Sequence, residues 1–348
     1  MTDPSGEQPA EPAPDRDESR RAADDSSFQA HVRSARSELE HQVERARSEL
    51  EHQVERARAD LEQANERIKA RTGRDLIVAI AIGLAIGLAV IGSLVFVKWL
   101  FLVIAIPVSL LGVFEFSRAL QAAGRRVDEV PQLIAGLLVV LAAFLAGHWT
   151  HWVVTFAAVA LVIVWRLLSQ MNARDGRRYG EVVSDVLVAG FIQLYVSFLG
   201  SLTLVLLRQE HGEWWLLAMF VVVVCADTGA YASGLMFGKH AMAPRISPKK
   251  TWEGFAGAAA VALAAGVLLA AFILHVPLWA GVIFGAVLLA SATVGDLGES
   301  MIKRDLGIKD MSSWLPGHGG VLDRLDSILP SAPAALALYF ALSPLAAA

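Results

Sequence analysis

The residues with the greatest chemical potential in this chain fall between Asp296 and Asp326. Asp296 to Asp310 reads Asp-Leu-Gly-Glu-Ser-Met-Ile-Lys-Arg-Asp-Leu-Gly-Ile-Lys-Asp, and residues 318–326 read His-Gly-Gly-Val-Leu-Asp-Arg-Leu-Asp. Residues three and four apart stack on one helix face, so a helix here would align Asp296, Glu299, Ser300 and Lys303. Asp323 and Asp326 repeat the three-residue spacing after the His318-Gly319-Gly320 turn. Carboxylates from two segments, interleaved with Lys303, Arg304, Lys309 and Arg324, suit a hard divalent cation together with a polyphosphate. Mg²⁺ prefers oxygen ligands and shares its shell with substrate phosphates. The plainer reading is a charged cytosolic loop that only follows the positive-inside rule.

Two further clusters precede this stretch. Asp227 interrupts an apolar run, Val-Val-Val-Val-Cys-Ala-Asp-Thr-Gly-Ala-Tyr-Ala-Ser-Gly. An ionisable group at membrane depth costs about 3 kcal/mol on insertion scales and by default marks function. Gly229, Ala230, Ala232, Ser233 and Gly234 would let a second helix approach closely; a structural interhelical hydrogen bond is the competing reading. Ser247-Pro248 then favours a turn before a helix that Thr251 would cap. Lys249 and Lys250 beside free backbone N–H groups would make an anion site. A positive-inside loop holding lipid headgroups is the alternative. Weaker candidates are an ion pair of Glu115 with Arg118, a snorkelling Arg166, and Gln193, Tyr195 and Ser197, which would line a lipid cleft or simply pack.

The elements that must hold these groups are set by composition. The chain has 348 residues, 55% of them hydrophobic, and a net charge of −4; its mean hydropathy is +0.50. Most of the charge lies before Arg74 and in a few loops, which is the composition of a polytopic membrane protein with a soluble appendage. The fold class expected is all-α. Apolar runs at 76–97, 99–117, 131–147, 152–168, 184–207, 214–237, 253–274, 278–296 and 327–346 give nine spans, with the boundary near Lys98 the least defined. Basic residues concentrate in alternate loops, which places the N-terminus and all the motif-rich loops in the cytoplasm. Trp99, Trp149, Trp152, Trp214, Trp215 and Trp279 fall at the opposite boundaries, as an interfacial belt requires. Cys225 is the only cysteine and has no partner for an internal disulfide. The acidic, polar start shows no cleavable signal peptide.

Residues 1–26 are too polar to offset the entropy of ordering and are expected to be disordered. Residues 27–73 are expected to form a charged helix. Ala35 to Arg45 recurs letter for letter as Ala46 to Arg56, and an eleven-residue period gives a nearly straight apolar stripe. This is a coiled-coil dimerisation arm or a charged helix in solution or on the membrane surface. Residues 74–348 form the membrane-embedded domain.

Ser300, Lys303-Arg304, Lys309-Asp310, Ser312, Pro316, His318-Gly319-Gly320 and Asp323-Arg324-x-Asp326 resemble the signature of the phosphatidate cytidylyltransferases, also called CDP-diacylglycerol synthases. Ser247-Pro-Lys-Lys-Thr-x-Glu-Gly254 and the Asp227-x-x-Ala-Tyr helix are similar to two earlier blocks of the same family, in the same order. The resemblance covers about residues 184–346 well, 76–183 by hydropathy only, and not the arm. It implies transfer of CMP from CTP to phosphatidate, giving CDP-diacylglycerol and pyrophosphate. It implies Asp296 and Asp323 as carboxylates holding one or two Mg²⁺, Glu299 and Asp326 as second choices, either ligands or partners that support the ligands from behind, and a monovalent cation as an open possibility. Catalysis would then rest on Asp296, Asp323, Ser300, Lys303 and Lys249. Substrate would be held by Lys250, Ser247, Arg304, Lys309, His318, Gly319, Gly320 and Arg324, with Asp227 anchoring the Lys249-Lys250 wall. The partners expected are CTP, phosphatidate and bilayer lipid, and a second copy of the chain, with no nucleic acid. A cytidylyltransferase for another lipid phosphate, such as an ether lipid, would carry the same motifs. A non-enzymatic scaffold or transporter would explain the arm and Asp227 but not the ordered signature.

Overall fold

The computed structural model describes residues 76–173, 176–312 and 319–346. The acidic tail, the repeat helix and His318 lie outside the described residues. Among those described, the chain forms α1 (Leu76–Phe96), α2 (Lys98–Ala122), α3 (Glu129–Leu145), α4 (His148–Asn172) and α5 (Tyr179–Leu207). After these come α6 (Gly212–Phe237), a hairpin of β1 (Ala241–Ala243) and β2 (Ser247–Thr251), α7 (Trp252–Leu274), α8 (Leu278–Asp305) and α9 (Leu322–Leu345). Seven of the helices are long and apolar enough to cross a bilayer, and α3, with 17 residues, is shorter. The protein is an all-α polytopic membrane protein. Large apolar side chains such as Leu138, Phe156, Leu187 and Phe272 stay exposed on the helices, where lipid would cover them.

Each apolar run is a helix, and the ends depart from hydropathy in informative ways. The run expected to stop at 296 continues as helix to Asp305, so the charged face grows out of a spanning helix without a break. Ser247-Pro248, expected as a turn, lies instead in β2, antiparallel to β1 with Ala243 opposite Ser247. Proline is tolerated there because the ribbon has an open edge. Thr251 does cap α7, its Oγ1 accepting from Gly254 N at 3.1 Å. α5 and α7 each contain a π-helical segment, at Gln193–Phe198 and Ala270–Leu274.

Lipid is as apolar as leucine, so helix association depends on close fit rather than water exclusion. The most extensive pairing is α6 with α7, and it uses the small residues read from the sequence. A Cβ on Gly257 would lie 2.7 Å from Ser233 Oγ and 2.9 Å from the Gly229 carbonyl. Ser233 Oγ in turn donates to the Glu253 carbonyl at 2.7 Å. Between α6, α8 and α9, Trp215 packs edge-on against Phe284 and Tyr339.

Four minor expectations are decided by the packing. Trp215 is buried, so it does not belong to the exposed set formed by Trp99, Trp149, Trp152, Trp214 and Trp279. Arg166 does not snorkel: it is 2% exposed, with Asp185 at 3.5 Å and Asp128 at 3.7 Å. Glu115 and Arg118 are not a pair. Arg118 Nε meets Glu129 at 2.9 Å, while Glu115 turns inward to the other end of the sequence. Gln193 and Ser197 are fully buried, with Gln193 Nε2 donating to the Gln132 carbonyl at 2.8 Å; packing, not a lipid cleft, accounts for them.

Candidate active site

A cavity of about 390 Å³ opens where α6, β2, α7, α8 and α9 meet, and Asp227, Lys249, Lys250, Asp296, Asp323, Arg324 and Asp326 all line it. Residues from three separate sequence blocks therefore face one volume. α6 brings Asp227 and Tyr231, β2 brings the two lysines, α8 brings Thr293 and Asp296, and α9 brings the last acidic pair and Arg324.

The hairpin that carries the lysines is braced on both sides. Glu253 accepts from the backbone N–H groups of Lys239 and His240 at 3.1 and 3.2 Å, and lies 2.5 Å from His240 Nδ1. Arg304 Nε donates to the Ile246 carbonyl at 3.2 Å, tying the hairpin turn to the end of α8. Lys250 closes the gap by an ion pair with Asp296. Ser247 begins β2 but does not line the cavity, and Lys309 is exposed away from it.

On the opposite wall the aligned face is present as the spacing predicts. Ser300 Oγ lies 3.4 Å from Asp296 Oδ1. One turn on, Lys303 Nζ lies 2.9 Å from Asp323 Oδ1 and 3.2 Å from Glu299 Oε1. Asp323 also accepts, through Oδ2, the backbone N–H groups of Gly320 at 2.8 Å and Met311 at 3.0 Å. It thus organises the loop between α8 and α9 as well as facing the cavity. Asp326 Oδ1 accepts from the Ser327 N–H at 2.6 Å.

Sequence reasoning missed the role of Glu115. This carboxylate, 1% exposed on α2, accepts from Ser312 Oγ at 2.5 Å, Val321 N at 3.0 Å and Leu322 N at 2.9 Å. It fastens both ends of the Gly-Gly segment to α2. The glycines have a corresponding reason. Gly319 adopts φ +80°, which L side chains rarely do, and a Cβ on Gly320 would lie 2.8 Å from Glu115 Oε2. Gly319 and Gly320 make room for the protein's own carboxylates, Asp323 and Glu115. An acid in an apolar helix was the available signal; Arg118, one turn on, offered a false partner.

Asp296 and Asp323, with the second choices Glu299 and Asp326, do not form a cage by themselves. Among the described residues, no three of His, Cys, Asp and Glu converge closely enough to hold an ion unaided. The cause is the lysines: Lys303 stands between Glu299 and Asp323, and Lys250 pairs with Asp296. Glu299 is fully buried and outside the lining, beside Lys303. The donor set facing the cavity still fits Mg²⁺. Asp227, Asp296 and Asp326 are hard oxygen ligands, and this ion commonly takes one or two carboxylates with the rest of its shell from phosphates and water.

Comparison with known proteins agrees with this architecture. A family model described as the cytidylyltransferase family matches residues 77–342. The chain is 40% identical over 279 residues to a phosphatidate cytidylyltransferase of Mycobacterium bovis, covering 76% of this chain and 89% of the relative. The same identity and length relate it to a Mycobacterium tuberculosis protein of that name, 83% of which is covered. A Mycobacterium leprae counterpart is 36% identical over 278 residues, covering 75% of this chain and 86% of the relative.

Proposed function

Since the chain belongs to the cytidylyltransferase family, and is therefore a nucleotidyltransferase of the membrane, we propose that it transfers CMP from CTP to phosphatidate, giving CDP-diacylglycerol and pyrophosphate. The observation that carries this reading is the convergence of Asp227, Lys249-Lys250 and Asp296 with Asp326 on one cavity. A phosphomonoester oxygen of the lipid attacks the α-phosphorus of CTP in line; the new P–O bond forms as the bond to the β-phosphate oxygen breaks. The nucleophile is already an anion near neutral pH, so no general base is assigned. The work of the site is positioning and charge neutralisation.

Lys249, Lys250 and Arg324 line the cavity and would receive the phosphate oxygens of the two substrates. Lys250 is released from Asp296 when a phosphate takes its place. Bound Mg²⁺ would supply Lewis-acid stabilisation of the crowded phosphates, with Asp296, Asp227 and Asp326 as the residues to hold it. Lys303 pairs with Asp323 and Glu299 and holds them in place. Ser300 orients Asp296. Lys309 and Ser247 stand outside the wall, so any contact with substrate would be with its distal parts. The cavity opens to the cytoplasm in this reading, where CTP is available, and the lipid headgroup enters from the adjoining leaflet.

The test is incubation of purified protein with labelled CTP, Mg²⁺ and phosphatidate. Label in a lipid product that is returned as CTP on pyrophosphate addition is the expected result. Absence of product, or equal labelling with a lipid lacking a phosphomonoester, would remove the proposal.

A further inference from the structure

β1 and β2 form a two-stranded ribbon, with Ala241 opposite Thr251 and Ala243 opposite Ser247. An isolated hairpin of two strands is marginally stable at best in water, and these strands are only three and five residues long. The second strand nevertheless presents Lys249 and Lys250 to the catalytic cavity. Ties outside the ribbon must therefore set where the two ammonium groups lie. Glu253, Arg304 and Asp296 make those ties.

Glu253 closes the base. It stands in the first turn of α7, directly after β2, and reaches back to the residues that lead into β1. Its Oε2 accepts the Lys239 and His240 backbone N–H groups, and its Oε1 meets His240 Nδ1. The Trp252 N–H donates to the His240 carbonyl at 2.9 Å, and Ser233 Oγ of α6 donates to the Glu253 carbonyl. Both strands thus leave from one fixed point. Arg304 seats the far end through the Ile246 carbonyl, and Lys250 pairs with Asp296 between the two. The contacts with α8 are in step. Extended chain covers about 13 Å from Ile246 to Lys250, and a helix rises about 12 Å from Asp296 to Arg304. The second strand therefore runs antiparallel along the end of α8, with a rung at each end.

Neither Glu253 nor Arg304 lines the cavity. The three ties differ in what substrate does to them. A phosphate that takes Lys250 from Asp296 removes the middle tie, and Glu253 and Arg304 then keep the lysines in place. We propose that Glu253 and Arg304 are positioning residues for the transfer reaction, acting on Lys249 and Lys250 through the two ends of the hairpin. This moves Arg304 from the residues expected to hold substrate to those that hold the strand. The proposal rests on the cavity being the CTP site.

Full-length protein in nanodiscs is compared with Glu253→Ala and Arg304→Gln. Hydrogen exchange over residues 240–251, followed by mass spectrometry without substrate, should quicken about tenfold in each variant, as loss of a hydrogen bond to a charged group allows. The KM for CTP should rise about tenfold with kcat within about twofold, because the lysines grip the phosphates before and during transfer. Glu253→Gln should recover most of both values, since its amide oxygen still accepts the two N–H groups. Joining Ile246→Cys to Arg304→Cys with a short bis-thiol reagent, in a Cys225→Ala background, should also restore KM; a tether cannot replace an arginine that touches substrate. A raised KM with unchanged exchange, or faster exchange with unchanged KM, would overturn the proposal. If wild type makes no product from CTP, the cytidylyltransferase reading has failed, and exchange over the hairpin still decides whether these two side chains hold it.

Discussion

The two walls of the catalytic cavity are made rigid by opposite means. The α6–hairpin–α7 wall is fixed by backbone proximity: Gly229 and Gly257 let the helices touch, and Thr251 closes the end of α7. The α8–loop–α9 wall is fixed by buried charge, with Glu115 and Asp323 gathering backbone N–H groups that no regular element satisfies. Loop amides buried near a membrane must find acceptors, and a carboxylate can serve several at once. The acidic residues of this site therefore divide into two kinds. Asp227, Asp296 and Asp326 face the cavity, Glu115 holds the loop behind it, and Asp323 does both.

That division fails most visibly if Asp296→Asn behaves like a structural variant. Removing a charge from the cavity wall should lower CTP-dependent product formation by about 10³-fold, the upper end for loss of one preorganised electrostatic group, with the melting temperature unchanged. A parallel fall in melting temperature would place Asp296 with the loop-holding acids. Glu115→Gln should do the reverse. The substitution keeps the shape but offers an amide donor where three donors converge. A loss of about 3 kcal/mol in unfolding free energy is expected, read by denaturant or thermal unfolding, with activity falling only as the loop loosens. Full stability in this variant would mean the loop is held elsewhere.

The contrast also explains what was legible in the sequence. Asp296, Glu299, Ser300 and Lys303 could be placed on one face because helical periodicity is local, and Thr251 could be named as a cap for the same reason. Asp227 stood out because carboxylates are rare within apolar runs. Glu115 meets Ser312 and Leu322 across about 200 residues of chain, and no local pattern encodes that meeting. Spacing aligned the carboxylates without revealing that Lys303 stands between Glu299 and Asp323. The hairpin was missed because Ser-Pro-Lys-Lys reads as a turn until β1 is seen beside it.

On the glycine wall, the break is steric. Gly257→Ala should cost about 2 kcal/mol, typical of overpacking, since the added methyl meets Ser233 and the Gly229 carbonyl. Ser233→Gly combined with it should recover part of the loss, and a double-mutant cycle measures the coupling. Strict additivity of the two substitutions would show that the helices do not meet there.

The smallest effect should come from Arg118→Ala, one helical turn from Glu115. Arg118 is 61% exposed in its side chain and pairs with Glu129 across the α2–α3 connection. Exposed ion pairs contribute under about 1 kcal/mol because water screens them and two long side chains must be ordered. Residues 115 and 118 occupy neighbouring faces of one helix and look like partners in the sequence, yet their substitutions should differ severalfold in stability. Measuring both in the same membrane preparation isolates burial as the cause, because charge magnitude and chain position are held nearly constant. If Arg118→Ala cost as much as Glu115→Gln, charge on α2 in general, rather than the loop hydrogen bonds, would be holding that wall.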